Sequence, residues 1–298
     1  MGLAMARNVL RAGFPLVVWN RTPERCISLV DAGATAAADP AGLAVADIVV
    51  TMVSDEFAAR SVLVESGLLE DLRPGSIVLE MSTIGPIAAT ALAAEAVRRD
   101  VRLLDAPVSG SVPVAEAAQL FVMVGGDREA YELATPVLDA MTKGHVYLGP
   151  SGSGAAMKIA VNAMIAVTNE SLAETLALAE RFGIGREQAY DVLAAGALAS
   201  PFLLYKRGAF LNPETEPVAF TTALMQKDII LARELAARLG VRIPAAMAAA
   251  GVLEEAVGDG LADADMASVI GLLAGDEQEQ AHDHQLIDAE ILNEEDAR

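Results

Sequence analysis

Apolar positions in the first half of the chain fall into two alternating patterns. Residues 16–19, 47–53, 76–80, 102–104, 120–124 and 145–148 are short runs dominated by Val, Ile and Leu. Between them lie longer stretches with helical spacing, including 87–99 and 128–141. Strands alternating with helices predict a parallel, doubly wound sheet. At residues 149–154, Gly-Pro-Ser-Gly-Ser-Gly, the pattern breaks and strand signals end. Residues 155–181 then read as one helix closed by Gly183, about 40 Å long at 1.5 Å per residue. Further helices are predicted over 186–195, 220–239 and 245–258. The organisation expected is an α/β dinucleotide-binding domain over 1–150, an all-helical domain over 151–275 and an acidic tail over 276–298.

Composition narrows the choice of partners. The chain has 298 residues, 53% of them hydrophobic, and carries a net charge of −20. Such a surface repels nucleic acid, while a local basic pocket can still take a small anion. Cys26 is the single cysteine, which fits a reducing, cytoplasmic setting. His145, His282 and His284 form no cluster with metal-ligand spacing, so no metal is expected. No apolar run reaches the length of a membrane helix.

Several segments carry candidate chemistry. The chain opens in a helix containing Gly2, turns at Gly13 and enters a strand ending at Trp19-Asn20. That is the second half of a dinucleotide-binding βαβ unit, with Gly2 as the third glycine of G-x-G-x-x-G. In Asn20-Arg21-Thr22 no acidic residue follows the strand to bind the ribose hydroxyls of NAD. Arg21 instead offers a planar cation for a 2′-phosphate, which favours NADP(H) over NAD(H); a solvated turn arginine is the bland alternative. The segment Asp105-Ala106-Pro107-Val108-Ser109-Gly110-Ser111 presents small residues and two hydroxyls suited to a carboxylate, or is a plain turn. Lys158 lies among Met157, Ile159, Ala160 and Val161, with Asn162 one helical turn on. A lysine there either works with a partner or snorkels to solvent. Lys227-Asp228 reads by itself as a surface charge pair, and Tyr205 and Phe220 as core aromatics or pocket walls.

Taken jointly and in order, Met1-Gly2 with Met5-Ala6, Trp19 to Thr22, Met81-Ser82-Thr83-Ile84, Asp105 to Ser111, Gly152 to Asn162 and Lys227-Asp228 resemble the β-hydroxyacid dehydrogenases over about Met1 to Ala250. Ser111, Pro113 and Gln119-Leu120 resemble most the glyoxylate/succinic semialdehyde reductase branch. The resemblance implies that Lys158 is the catalytic acid/base. It implies that Ser109, Gly110, Ser111 and Asn162 hold substrate. Gly2, Asn20, Arg21, Thr22, Met52, Val53, Ser54, Thr83 and Lys227 would line the cofactor. It also implies a small carboxylated substrate and a homodimer or homotetramer built through the helical domain.

In the family pattern Met1 falls inside the glycine-rich turn. About ten residues, comprising a first strand and the first two glycines, are therefore expected upstream. A misplaced start and a true truncation are both compatible with this. The activities expected are NADPH-dependent reduction of a carboxylated aldehyde, dehydrogenation of a 3-hydroxy acid, or a scaffold role without catalysis.

Overall fold

The computed structural model describes residues 1–274; the expected acidic tail, with His282 and His284, lies outside them. The described chain forms two compact units. The first comprises Met1–Val161 and Glu234–Gly240. Its elements are α1 (Gly2–Arg11), β1 (Val17–Val18), α2 (Ile27–Val30), β2 (Thr35–Ala36), β3 (Ile48–Thr51), α3 (Glu56–Arg60), α4 (Leu68–Asp71), β4 (Ile77–Glu80), α5 (Pro86–Val97), β5 (Arg102–Asp105), β6 (Val108–Ser109), α6 (Val112–Glu116), β7 (Leu120–Gly125), α7 (Arg128–Met141), β8 (Thr142–Gly149) and the start of α8 (Ser153–Arg181).

Strands β3, β4 and β5 pair in parallel, with Val49 opposite Val78 and Val78 opposite Leu103. The alternation of side chains along β4 builds two cores. Ile77 and Leu79 face Met5 and Val9 of α1 and Leu138 of α7, while Val78 faces Leu63, Leu69, Leu92 and Ala96. Helices thus cover both faces, as the sequence pattern predicts. The sheet is mixed where a parallel one was expected. β7 runs antiparallel to β5 and β6 and parallel to β8. The pairs Asp105–Gly125, Val108–Val122 and Ser109–Phe121 form one ladder on β7, interrupted at Pro107, which has no N–H to give. The link from β6 to β7 holds only the short helix α6 and is too short for a parallel crossover. β1 and β2 stand apart as a two-stranded parallel sheet, pairing Val17 with Thr35 and Val18 with Ala36.

The second unit comprises Asn162–Arg233 and the chain from Val241 onward. It contains most of α8, then α9 (Arg186–Ala195), α10 (Pro201–Leu211), most of α11 (Thr222–Leu239), α12 (Pro244–Gly258) and α13 (Val269–Ala274). Among the described residues its only extended pairing is the isolated bridge Thr221–Asp265. Leu172, Leu176, Tyr190, Phe210, Met225, Ile229, Leu253 and Ile270 make its core. α8 ends as expected at Gly183, whose φ of +94° suits glycine, with the Gly183 N–H donating to the Glu180 carbonyl. Helix α10, absent from the sequence reading, begins at Ser200, whose hydroxyl accepts the Leu203 N–H, with Pro201 in the first turn.

Glu170 is buried on α8, and one of its carboxylate oxygens has no hydrogen-bond partner. Burial, with a smaller contribution from Glu174, pushes its carboxyl up to about 7. A raised folded-state pKa means that its contribution is fully present below the ordinary carboxylate range and is lost as pH rises through about 7. Glu170→Gln is therefore expected to raise Tm at pH 8 by about 2–6 °C, the shift that roughly 1–2 kcal/mol brings. At pH 4 it is expected to leave Tm unchanged. Equal shifts at both pH values in thermal unfolding would count against this account.

Candidate active site

The carboxyl ends of β3 and β4 carry Met52, Val53, Ser54 and Thr83 of the expected cofactor residues. Helix α1 begins at Gly2. A Cβ added at Gly2 would lie 3.6 Å from the Met52 Cβ, an ordinary contact, so helix start and strand exit sit side by side. Beyond β3 come Met52, Val53 and the exposed Ser54; beyond β4 come the buried Ser82 and the half-buried Thr83. These two exits are tied together. The Val53 N–H donates to Ser82 Oγ at 2.9 Å, the Ser82 N–H donates to Glu80 Oε1 at 2.8 Å, and the Thr51 hydroxyl donates to Glu80 Oε2. Burial pushes the Glu80 carboxyl up, opposed by Ser82 and Thr51. At the end of β1 the Thr22 N–H donates to Asn20 Oδ1 at 2.9 Å, and this turn displays the exposed Arg21. Adjacent strand ends with a helix start beside them and a displayed arginine fit a dinucleotide carrying phosphate groups.

The expected carboxylate segment lies in the same unit. Ser109 ends β6 rather than sitting in a loop. Gly110 has φ +138°, and a Cβ there would come within 2.8 Å of Leu120 and Val114 side-chain atoms, so only glycine fits. Ser111 precedes α6 without its hydroxyl capping that helix.

Lys158 lies half-buried on α8 beside the fully buried Ile159. One turn on, in the second unit, Asn162 is 3% exposed and its Nδ2 donates to Asp228 Oδ2. Asp228 is 1% exposed, and its other carboxylate oxygen lies 3.1 Å from Lys227 Nζ. Asn162, Asp228 and Lys227 thus form one polar chain, and Asp228 fixes which end of the Asn162 amide points away from it. The surface-pair alternative for Lys227-Asp228 is corrected by this burial. The signal was present in the helical period, because Asp228 falls on the buried stripe with Met225 and Ala232 of α11. No group of three or more His, Cys, Asp or Glu that could hold a metal occurs among the described residues. Nor is any helix among them long and apolar enough to cross a membrane.

Strand exits grouped beside a helix start in an α/β unit, followed by a helical unit, define the class as nicotinamide-cofactor oxidoreductases. Residues 1–149 match the NAD binding domain of 6-phosphogluconate dehydrogenase, and residues 152–273 match the NAD-binding family of NADP-dependent 3-hydroxyisobutyrate dehydrogenase. Glyoxylate/succinic semialdehyde reductase 1 of Arabidopsis thaliana is 35% identical over 91% of this chain and 94% of its own length. The 3-hydroxyisobutyrate dehydrogenase structure from Salmonella typhimurium superposes with a TM-score of 0.84 at 29% identity, covering 91% of this chain and 95% of that one. That of Mycobacterium tuberculosis 3-hydroxyisobutyrate dehydrogenase with L-serine does so with a TM-score of 0.82 at 30% identity, covering 92% and 96%. The chain belongs to the β-hydroxyacid dehydrogenase family and is an NAD(P)-dependent oxidoreductase acting on CH–OH groups.

Proposed function

We propose that the protein is a cytoplasmic, NADPH-dependent reductase of small carboxylated aldehydes, with Lys158 as its general acid. The carrying observation is the polar chain Lys227–Asp228–Asn162, one helical turn from Lys158 on α8. Such a network is costly to bury unless it orients something, and what it orients is Asn162. Arg21 and the turn around it would hold a 2′-phosphate, the start of α1 the pyrophosphate, and Met52, Val53, Ser54 and Thr83 the remainder of the cofactor. Once bound, the cofactor supplies the hydride that reduces the carbonyl carbon. Ser109, Gly110 and Ser111 hold the substrate carboxylate through hydroxyl and backbone donors. As the carbonyl oxygen becomes an alkoxide, the Lys158 ammonium stabilises it and then gives it a proton, leaving a hydroxyl and a neutral amine. In the reverse direction the neutral Lys158 takes that proton back. Lys227, salt-bridged to Asp228, stays beside the nicotinamide end of the site in this reading.

The relative named glyoxylate/succinic semialdehyde reductase supports a carboxylated aldehyde. The two 3-hydroxyisobutyrate dehydrogenase structures support a second reading, a 3-hydroxy acid dehydrogenase using the same residues. The reading includes a homo-oligomer formed through the helical unit, where Met164, Leu178 and Phe182, each more than 70% exposed, follow one side of α8.

Fluorescence titration tests the cofactor half. NADPH is expected to bind with micromolar Kd, about −8 kcal/mol, and NADH much more weakly. Arg21→Ala is expected to weaken NADPH roughly 10–100-fold, as loss of a charge-assisted hydrogen bond would, and to leave NADH unchanged. Equal weakening of both would remove Arg21 as the phosphate reader. A panel of carboxylated aldehydes and 3-hydroxy acids then separates the two substrate readings.

A further inference from the structure

We infer that Asp105 is the positioning residue that sets Lys158 against the carboxylate-binding segment. This inference rests on the reading of Lys158 as the acid. Asp105 is the last residue of β5 and is 1% exposed. Its Oδ1 accepts the Gly152 N–H at 2.8 Å and its Oδ2 accepts the Ala155 N–H at 2.9 Å. Oδ1 thus holds Gly152, directly ahead of α8, and Oδ2 holds the first turn of α8, whose amide groups have no carbonyl of their own helix to meet. The carboxylate also opposes the positive end of the helix dipole. Burial pushes its carboxyl up, against the pull of the backbone N–H groups of Gly152, Ala155 and Gly154.

The joint is built without slack. A Cβ at Gly125 of β7 would lie 2.8 Å from both Asp105 oxygens and from the Gly154 nitrogen. A Cβ at Gly154 would come 2.5 Å from the Asp105 carbonyl oxygen and collide with that of Met123. Strands β5 and β7 and helix α8 thus meet backbone to backbone, and only glycines allow it.

Asp105 stands between two functional segments. Four residues onward, in the same ladder on β7, is Ser109. From Ala155, one of its bonded amides, Lys158 is three residues along a rigid helix, about 4.5 Å of rise. One side chain therefore fixes the position of the proton donor relative to the strand that ends in the anion-holding segment. Asp105→Asn keeps the shape but turns an amide N–H against one of the helix N–H groups. The start of α8 must then shift, and shifts near 1 Å at a reacting group cost about 10²-fold in rate.

The test is a double-mutant cycle of Asp105→Asn and Lys158→Ala, with turnover and NADPH affinity measured for each protein. Asp105→Asn is expected to lower kcat about 10²-fold, with NADPH Kd and substrate KM within about threefold of the parent. In the Lys158→Ala background the same change is expected to cost less than about threefold, because it acts through Lys158. An equal loss in both backgrounds, or a loss of NADPH affinity matching the loss of rate, would overturn the inference and leave the reading of Lys158 intact. Full activity of Lys158→Ala alone would remove that reading, and this inference with it. If Asp105→Asn does not fold, Asp105→Ser, which keeps one acceptor, carries the cycle. In the parent protein the Gly152 and Ala155 amides are expected to exchange with solvent as slowly as core amides. Fast exchange there overturns the inference without any variant.

Discussion

Lys158→Ala is expected to fold, to bind NADPH as tightly as the parent and to turn over about 10³–10⁴-fold more slowly. General acid catalysis alone contributes about 10²–10⁴-fold. Charge stabilisation of the developing alkoxide contributes further, because a fixed ammonium in a partly desolvated site acts without reorganisation. Lys158 is half-buried on α8, and truncating it removes no large share of core packing, so folding should survive. Steady-state kinetics with a responsive aldehyde, together with NADPH titration, separates the roles. A fall in kcat with unchanged NADPH affinity is the signature of a group acting on the reacting oxygen. Turnover within tenfold of the parent would remove Lys158 from the chemistry.

Asp265→Asn is expected to bring the largest loss of stability. Lys206 and Asp265 are 1% and 2% exposed at the side chain and lie 2.5 Å apart. Asp265 also accepts the N–H groups of Ala219, Phe220 and Ala267, so it holds α10, the approach to α11 and the approach to α13 together. Removing its charge leaves Lys206 as an uncompensated buried ammonium, which costs about 3–5 kcal/mol. In a unit of this size that is a fall in Tm of roughly 10 °C. Lys206→Met is expected to cost about half as much, because Asp265 keeps its three backbone donors. The pH dependence follows from the carboxyl. Burial alone would raise its pKa, but Lys206 and the backbone N–H groups of Ala267 and Ala219 outweigh burial and hold it low. A depressed folded-state pKa gives stability above the ordinary carboxylate range that is lost as pH falls through the depressed value. The gap in Tm between parent and Asp265→Asn should therefore close in acid. A gap that stays constant down to pH 3 would argue against the ion pair as its source.

What could be read in advance follows from which signals are local. Amphipathic spacing located α7 and α9 to the residue, and Gly183 marked the end of α8, because period and cap are written in neighbouring residues. Lys158 and Asn162 were legible for the same reason, as a polar pair one turn apart in an apolar helix. The direction of β7 was not legible, since it depends on a connection that is too short to cross over. Strand β8 starts at Thr142, directly after α7, because pairing with β7 outweighs the weak local preference of Lys143-Gly144. The burial of Asp228 and Asp105 escaped notice because amide donors far along the chain share it. Asp228 receives Asn162, 66 residues away, and Asp105 receives Ala155, 50 residues away. A charged letter beside a hydrophobic one looks like surface until its donors are known. For Asp228 the helical period held the clue; for Glu80, at the end of a strand buried along its whole length, the neighbouring Ile77 to Leu79 run did.

The place of Asn20, Arg21 and Thr22 just beyond β1, distant in the chain from Ser109 and Lys158, bears on how this enzyme can change over evolutionary time. The turn that would tell a phosphorylated coenzyme from an unphosphorylated one follows β1, while the proposed proton donor lies on α8 and the proposed substrate grip at β6. Substitutions at separated sites with no shared partners combine almost additively. If Arg21 reads the phosphate as proposed, coenzyme preference can drift, or be redesigned, through Asn20, Arg21 and Thr22, while the rest of the catalyst inherits the change without having to be retuned.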